Sequence, residues 1–299
     1  MNKKTIVEKT VQLGFFLCAV VAIFAVCSIT VYMFLKGTPA LSKVGVFHLL
    51  FGTEWMPTAA DPAYGIFYII LSSVVGTAMS VAIGVPIALM TAVFLSEIAE
   101  NHVAAVVGGA VELLAAIPSV IYGLMGMMIL NPWMYKLEQA IYSGDATHQF
   151  TGGANLLSAI IVLAIMILPT VISVSTSSLK AVTDSMRSAS LALGATKIQT
   201  IFKVVLPAAK SGILTGVVLG IGRALGEAMA INMVAGGTVN IPLPFNSVRF
   251  LTTQLVSEMG YAQGLHRQVL FTVGLVLYIF IMIVNLILLR TRKKGVEHD

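Results

Sequence analysis

The chain has 299 residues, of which 58% are hydrophobic and 10% are charged, and its mean hydropathy is +0.94. Soluble domains carry about 25% charged residues, so this composition excludes a protein that is solvated on all sides. The formal net charge of +5 predicts membrane orientation rather than nucleic-acid binding, because most basic residues flank apolar segments.

Six apolar windows are long enough to cross a hydrocarbon core about 30 Å thick. They cover residues 11–35, 66–95, 103–130, 154–178, 211–236 and 269–289. The first is too long for the apolar part of a signal peptide and no A-x-A site closes it, so it predicts an uncleaved anchor. Twelve Lys and Arg residues lie on one side of the windows and five on the other, which predicts that both termini are cytoplasmic. The predicted fold class is therefore an all-α polytopic membrane protein with six transmembrane helices.

Proline interrupts three of these windows. Pro86 and Pro169 predict kinks in the second and fourth spans. The third window would be about 42 Å long as a straight helix, which exceeds one bilayer crossing. Pro118 therefore predicts a division into an interfacial piece carrying Glu112 and a true span. The polar segment 131–153 after it is predicted to be an external loop.

The longest cytoplasmic segment, 179–210, is predicted to be helical, with a break at Gly194 and a stop at Pro207. Small residues at the break, Gly194 and Ala195, would let another protein approach closely. The alternative is an ordinary basic loop. The chain contains no G-x-x-x-x-G-K-[ST] motif, so we expect it not to hydrolyse ATP itself, and its five scattered histidines predict neither a metal site nor a cofactor.

The fifth window carries two charges, Arg223 and Glu227, in "GIGRALGE". Each costs at least about 2.5 kcal/mol at the centre of a membrane helix, so we expect a compensating interaction or a function for the pair. A spacing of four predicts one helical face. One interpretation is an intrahelical ion pair that locks the span. The other is an aqueous path on which Arg223 meets a passing anion, while Glu227 weakens the site and accepts a hydrogen bond from a protonated phosphate.

Gly212, Gly216 and Gly220 precede this pair at intervals of four residues. Such small-xxx-small spacing predicts close helix packing, although glycine is also common in membrane helices. Glu97 and Glu112 are predicted to lie at the cytoplasmic interface, with a structural or gating role rather than contact with the substrate.

The stretch "SASLALG", followed by nine residues and "VVLP", resembles the EAA loop of ABC-importer permeases. The matching coupling-loop positions are Ser188, Ala189, Gly194, Ala195, Leu206 and Pro207. Ser188 stands where that family usually has Glu, so no particular ion pair is expected there. The resemblance implies coupling helices that dock on a separate ATP-binding subunit.

Over residues 65–290 the chain resembles the PstC-type permeases of bacterial phosphate importers, through "EWMP", "FLSE", "ELLAAIPSVIYGLMG" and "GIGRALGEAMA". A similar R-A-L-G-E occurs in sulfate, molybdate and tungstate permeases, so another tetrahedral oxyanion stays open. The resemblance implies a type I importer permease fold in the bacterial inner membrane. It predicts an N-terminal anchor helix and periplasmic linker (1–64), a permease domain (65–290) and a basic cytoplasmic tail (291–299).

The same resemblance implies the partners. These are a second, PstA-type permease subunit, two ATP-binding subunits, and a periplasmic or extracellular phosphate-binding protein; no nucleic acid is expected. The chain would be a transport subunit, not an enzyme, and would form half of the pore. The rivals are a stand-alone secondary carrier, which should show inverted repeats, and a non-transporting scaffold or sensor.

Overall fold

The computed structural model describes residues 3–296. Within that range the chain forms fourteen α-helices, three π-helical turns and one hairpin of two short strands. The helices are α1 (Lys3–Val44), α2 (Val46–Phe51), α3 (Phe67–Val93), α4 (Asn101–Ala116), α5 (Ser119–Met125), α6 (Asn131–Tyr142), α7 (Leu156–Lys180), α8 (Asp184–Ala192), α9 (Lys197–Thr200), α10 (Leu206–Ala208), α11 (Lys210–Gly226), α12 (Met229–Val234), α13 (Leu251–Glu258) and α14 (Gly264–Val296). The π-helical turns are Phe94–Ile98, Gly126–Leu130 and Ile201–Val205. The strands β1 (Trp55–Met56) and β2 (Ala63–Tyr64) pair antiparallel.

Four helical stretches in this range are long and apolar enough to cross a membrane. They are Val11–Val44, Phe67–Ile98, Leu156–Lys180 and Gly264–Ile287. Two pairs of helices also qualify, each joined by a sharp bend. The pairs are Asn101–Ala116 with Ser119–Tyr142, bent by 96°, and Lys197–Ala208 with Lys210–Gly226, bent by 69°. If each bent pair is one span, the total is the predicted six.

The first bend lies where Pro118 predicted a division. Proline lacks a backbone N–H and clashes with the preceding turn, so α4 ends at Ala116 and α5 begins at Ser119. The hydroxyl of Tyr122 donates a hydrogen bond of 2.7 Å to the carbonyl of Leu114 across the break. The prediction of an external loop over 131–153 was wrong in its first part. Helix α6 occupies Asn131–Tyr142. Pro132 is tolerated in its first turn, because the N–H that proline lacks would have no helical partner there.

Helix α7 lies at the centre and contacts α3, α4 and α11. Its most apolar window is 61% buried, against 33% for α3. Its N-terminus is capped by Asn155, whose side-chain oxygen accepts a hydrogen bond from the backbone N–H of Ser158 at 3.0 Å. Both α3 and α7 run through their prolines, Pro86 and Pro169, without a break in the helix.

The fifth predicted span, 211–236, is not one helix. Helix α11 ends at Gly226, Glu227 is extended with φ −72° and ψ 129°, and α12 begins at Met229. The prediction that Arg223 and Glu227 share one helical face was therefore wrong. Apolar content alone could not reveal the break, because both helices are apolar and no proline separates them.

The cytoplasmic segment forms α8, α9 and α10, and the predicted break at Gly194 is confirmed. Gly194 has φ +85°, a conformation that side chains with a Cβ rarely adopt. The predicted stop at Pro207 lies within α10, and the chain then turns at Ala209 into α11.

On the external side, the N-terminal segment packs onto the C-terminal helices. Ala40 and Leu49 share a buried cluster with Ile66, Leu251 and Val269. Helix α13 contributes Leu251 to this cluster. The predicted division of the chain at residues 64 and 290 stays a prediction.

Candidate functional site

Arg223 lies in the last turn of α11, half-buried. One guanidinium nitrogen donates a hydrogen bond of 3.3 Å to Thr170 Oγ1 on α7. The guanidinium also lies within electrostatic range of the Tyr122 phenol on α5. Among the described side chains, no carboxylate forms an ion pair with Arg223. A guanidinium carries five donors, so this contact leaves capacity to bind an oxyanion.

Glu227 lies at the break between α11 and α12 and accepts hydrogen bonds through both its side chain and its backbone. Its side chain is buried, at 9% exposure, and Oε1 accepts a hydrogen bond of 2.9 Å from the backbone N–H of Ala230 in the first turn of α12. Its backbone carbonyl accepts a hydrogen bond of 2.7 Å from Thr252 Oγ1 on α13. A carboxylate at a helix N-terminus is favourable, because unpaired N–H groups lie there. The described contacts of Glu227 thus join three helices.

The three glycines of α11 face α7. A Cβ at Gly212 would lie 2.1 Å from Ser178 Oγ, and one at Gly216 would lie 3.1 Å from Val174 Cβ. A Cβ at Gly220 would lie 2.7 Å from a methyl group of Val171. This glycine face therefore contacts a helix of the same chain, at a distance that a side chain would prevent.

The cytoplasmic segment presents apolar side chains to its surroundings. Leu193 is 90% exposed, and Ile198 and Phe202 are also largely exposed. A cavity of about 540 Å³ lies among α8, α9 and the following π-helical turn, with Ala189, Leu193 and Ala195 in its wall. Of the other predicted coupling positions, Ser188 and Pro207 are exposed, and Leu206 packs against the buried cluster around Leu179. Exposed apolar residues next to a concave surface are typical of a docking site.

Arg187 was not among the predicted site residues, yet it anchors this segment. Its guanidinium donates to Glu97 through two nitrogens, at 2.8 Å and 3.3 Å, and to the carbonyl of Leu179 at 2.9 Å. The hydrogen bond with Glu97 raises the pKa of Arg187 above its usual value. The two residues are 90 positions apart, and only adjacency to the coupling loop could have drawn attention to Arg187.

Two external polar clusters lie outside the predicted site residues. The buried carboxylate of Glu258 lies 2.5 Å from an Arg249 guanidinium nitrogen and 2.7 Å from His266 Nε2, and it accepts hydrogen bonds from Trp55 Nε1. Glu138, fully buried, lies 2.9 Å from His148 Nε2. Among the residues that the structure describes, no group of three or more His, Cys, Asp and Glu side chains could hold a metal ion.

Comparisons with known proteins give one family. Residues 84–294 match the family model described as "Binding-protein-dependent transport system inner membrane component". The chain is 38% identical to the "Probable ABC transporter permease protein YqgH" of Bacillus subtilis, over 93% of this chain and 89% of the relative. It is 33% identical to the phosphate transport system permease protein PstC of Pasteurella multocida, over 83% and 81% of the two chains.

Solved structures show the same fold. A chain of a bacterial alginate ABC transporter superposes with a TM-score of 0.65, at 15% identity, over 96% of each chain. A chain of the MetNI methionine ABC transporter superposes with a TM-score of 0.54, at 20% identity, over 77% of this chain and 94% of that chain. The described helices therefore have the architecture of an ABC-importer permease, as the sequence predicted.

Proposed function

Because the chain belongs to the family of binding-protein-dependent transport system inner membrane components, we propose that it is the permease subunit of an ATP-driven phosphate importer. It is a multi-pass protein of the inner membrane. Relatives that cover most of the chain bear the name of phosphate transport permeases. The observation that carries the proposal is Arg223, a half-buried guanidinium in a membrane span with no carboxylate partner among the described side chains.

Arg223 suits an oxyanion in transit. A guanidinium stays charged at any physiological pH, and its planar set of donors matches the oxygens of phosphate. A permanent, strong site would trap the anion, so the site must also be weak enough for release. In this proposal Thr170 takes one donor of Arg223, and Glu227, four residues further on, offsets the local positive charge.

ATP hydrolysis belongs to other subunits in this proposal, and the chain supplies no cofactor. The exposed apolar surface of α8 and α9 would dock on one of two ATP-binding subunits, and the other would dock on the second permease. A second, PstA-type permease would complete the pore. The family description supports a binding protein that delivers phosphate from outside.

The test is uptake of radiolabelled phosphate into proteoliposomes that contain the whole complex, ATP and the binding protein. We expect Arg223→Gln to lower uptake at least tenfold while assembly and ATP hydrolysis persist, because one charge-assisted contact contributes about 1.5–3 kcal/mol. Arg290→Gln, the same change at an exposed residue near the end of α14, is the matched control. We expect Glu227→Gln to keep the hydrogen bond to Ala230 but change the affinity for phosphate.

Competition with unlabelled anions distinguishes phosphate from the other tetrahedral oxyanions as the substrate. Unlabelled sulfate, molybdate or tungstate in excess should leave phosphate uptake unchanged. Inhibition by sulfate that exceeds inhibition by phosphate would assign the chain to another oxyanion. Normal uptake by Arg223→Gln would show that Arg223 does not lie on the anion path.

A further inference from the structure

A polar stripe runs along the exposed side of the otherwise buried helix α7. Thr170, Ser173, Ser177 and Lys180 follow at intervals of three, four and three residues, so they lie on one helical face. Thr170 is half-buried, and the other three are exposed. An ionisable side chain on a membrane span, such as that of Lys180, faces protein or water rather than lipid, because a charge is costly in hydrocarbon. This face of α7 therefore lies beside an aqueous space or a protein surface.

A cavity of about 360 Å³ opens on this stripe, between α4 and α7. Its lining includes Ser173, Thr176, Ser177 and Lys180 from α7, and Gly109 and Glu112 from α4. Thr176 Oγ1 is buried and has no hydrogen-bond partner within the described part of the chain. A buried hydroxyl without a protein partner favours a polar occupant such as water or an anion. We call this space the inner cavity.

The α4 wall of the inner cavity leaves room for an occupant. A Cβ built at Gly108 or at Gly109 would meet no other atom within 4 Å. A water molecule takes about 30 Å³ in the liquid, so 360 Å³ accommodates an anion with part of its hydration shell.

The stripe begins at Thr170, which contacts Arg223, and ends at the cytoplasmic end of α7. Thr170 accepts the hydrogen bond from Arg223, and Lys180 is the last residue of α7. Ten residues of helix span about 15 Å, which is half of the hydrocarbon core. The stripe therefore connects the proposed anion contact in the span with the cytoplasm.

We propose that the inner cavity is the exit site of the anion path, and this inference rests on the proposed function for the identity of the anion. The Lys180 ammonium attracts the anion, and the hydroxyls of Ser173 and Thr176 donate hydrogen bonds to its oxygens. Glu112 shares the cavity with Lys180, so the net charge stays near zero and the anion is released. Its carboxylate also accepts a hydrogen bond from the hydroxyl of a hydrogen phosphate ion.

The first test measures water access and needs no transport. In the whole complex with Cys18→Ser and Cys27→Ser, Ser177→Cys is exposed to an anionic, membrane-impermeant thiosulfonate from the cytoplasmic side. Met90→Cys is the control, because Met90 is 75% exposed near the cytoplasmic end of α3 on an apolar surface. We expect Ser177→Cys to react at least tenfold faster, and phosphate to slow the reaction. Equal rates would overturn the inference.

The second test measures uptake in the same proteoliposomes. Lys180→Gln should lower uptake about tenfold with ATP hydrolysis retained, whereas Lys210→Gln, at the start of α11, should not. Gly109→Leu should block uptake without preventing assembly, since its side chain enters open space; Gly14→Leu in α1 also enters open space and is its control. Uptake equal to that of the controls would overturn the inference.

The two tests also separate this inference from the proposed function. A complex that carries sulfate instead of phosphate would refute phosphate import. Labelling of Ser177→Cys, and sulfate uptake by Lys180→Gln, would then decide whether the inner cavity lies on the anion path.

Discussion

Arg187 stabilises the cytoplasmic segment through one guanidinium group that reaches three elements. It pairs with Glu97 after α3, donates to the backbone carbonyl of Leu179 in α7 and to that of Val182 beyond it, and belongs itself to α8. The side chains of Arg187 and Glu97 are 20% and 8% exposed, so solvent screens the pair only in part. These contacts therefore tie α8 to the ends of two spans.

We expect Arg187→Gln to destabilise the protein by about 2 kcal/mol, because it leaves the buried Glu97 carboxylate without its cation. Within the complex it should lower the phosphate taken up per ATP hydrolysed. Thermal unfolding in detergent and the ratio of uptake to hydrolysis measure the two effects. Asp184→Asn is the control, since Asp184 also contacts Arg187 but its side chain is 98% exposed. An equal effect of both substitutions would show that the Glu97 pair is not what matters.

At the scale of elements, close packing of α11 on α7 determines where Arg223 lies. The glycine face of α11 lets its backbone approach Val171, Val174 and Ser178. This approach brings Arg223 within hydrogen-bond distance of Thr170. Larger side chains at the glycine positions would push α11 away from α7 and would separate Arg223 from Thr170.

Two substitutions on α11 should have opposite effects on thermal stability. Gly220→Ala places a Cβ 2.7 Å from a Val171 methyl group, and such overpacking costs about 1–3 kcal/mol. Gly222→Ala meets no atom within 4 Å and gains helix propensity of about 1 kcal/mol. We expect the first to lower and the second to raise the midpoint of thermal unfolding. Equal midpoints would mean that α11 does not pack on α7 as described.

At the scale of the whole molecule, the Glu258 cluster joins segments from both ends of the chain. Trp55 comes from the N-terminal hairpin, Arg249 precedes α13, and His266 lies in the first turn of α14. Glu258 itself is 4% exposed. One buried carboxylate therefore fixes the external face by satisfying three donors.

We expect Glu258→Gln to destabilise the folded chain by about 3 kcal/mol, because it leaves Arg249 without its buried counter-charge. Cleavage of the external segments by an added protease should increase along with the fall in thermal stability. Glu54→Gln, at an exposed position beside Trp55, should change neither measurement. Unchanged protease resistance of the Glu258 variant would contradict a joining role.

Apolar content, proline and charge distribution were sufficient to predict an all-α polytopic membrane protein, the bend at Pro118 and the break at Gly194, because these depend on local chain chemistry. The spacing from Gly194 to Pro207 predicts a coupling segment, and that role stays a prediction. The end of α11 before Glu227 and the pair of Arg187 with Glu97 depend on contacts between residues far apart in the chain. The row from Thr170 to Lys180 was visible in the sequence, but which face of α7 stays exposed depends on the packing of α3, α4 and α11. Only the tertiary structure could decide these features, since the stability of a buried charge depends on which groups surround it.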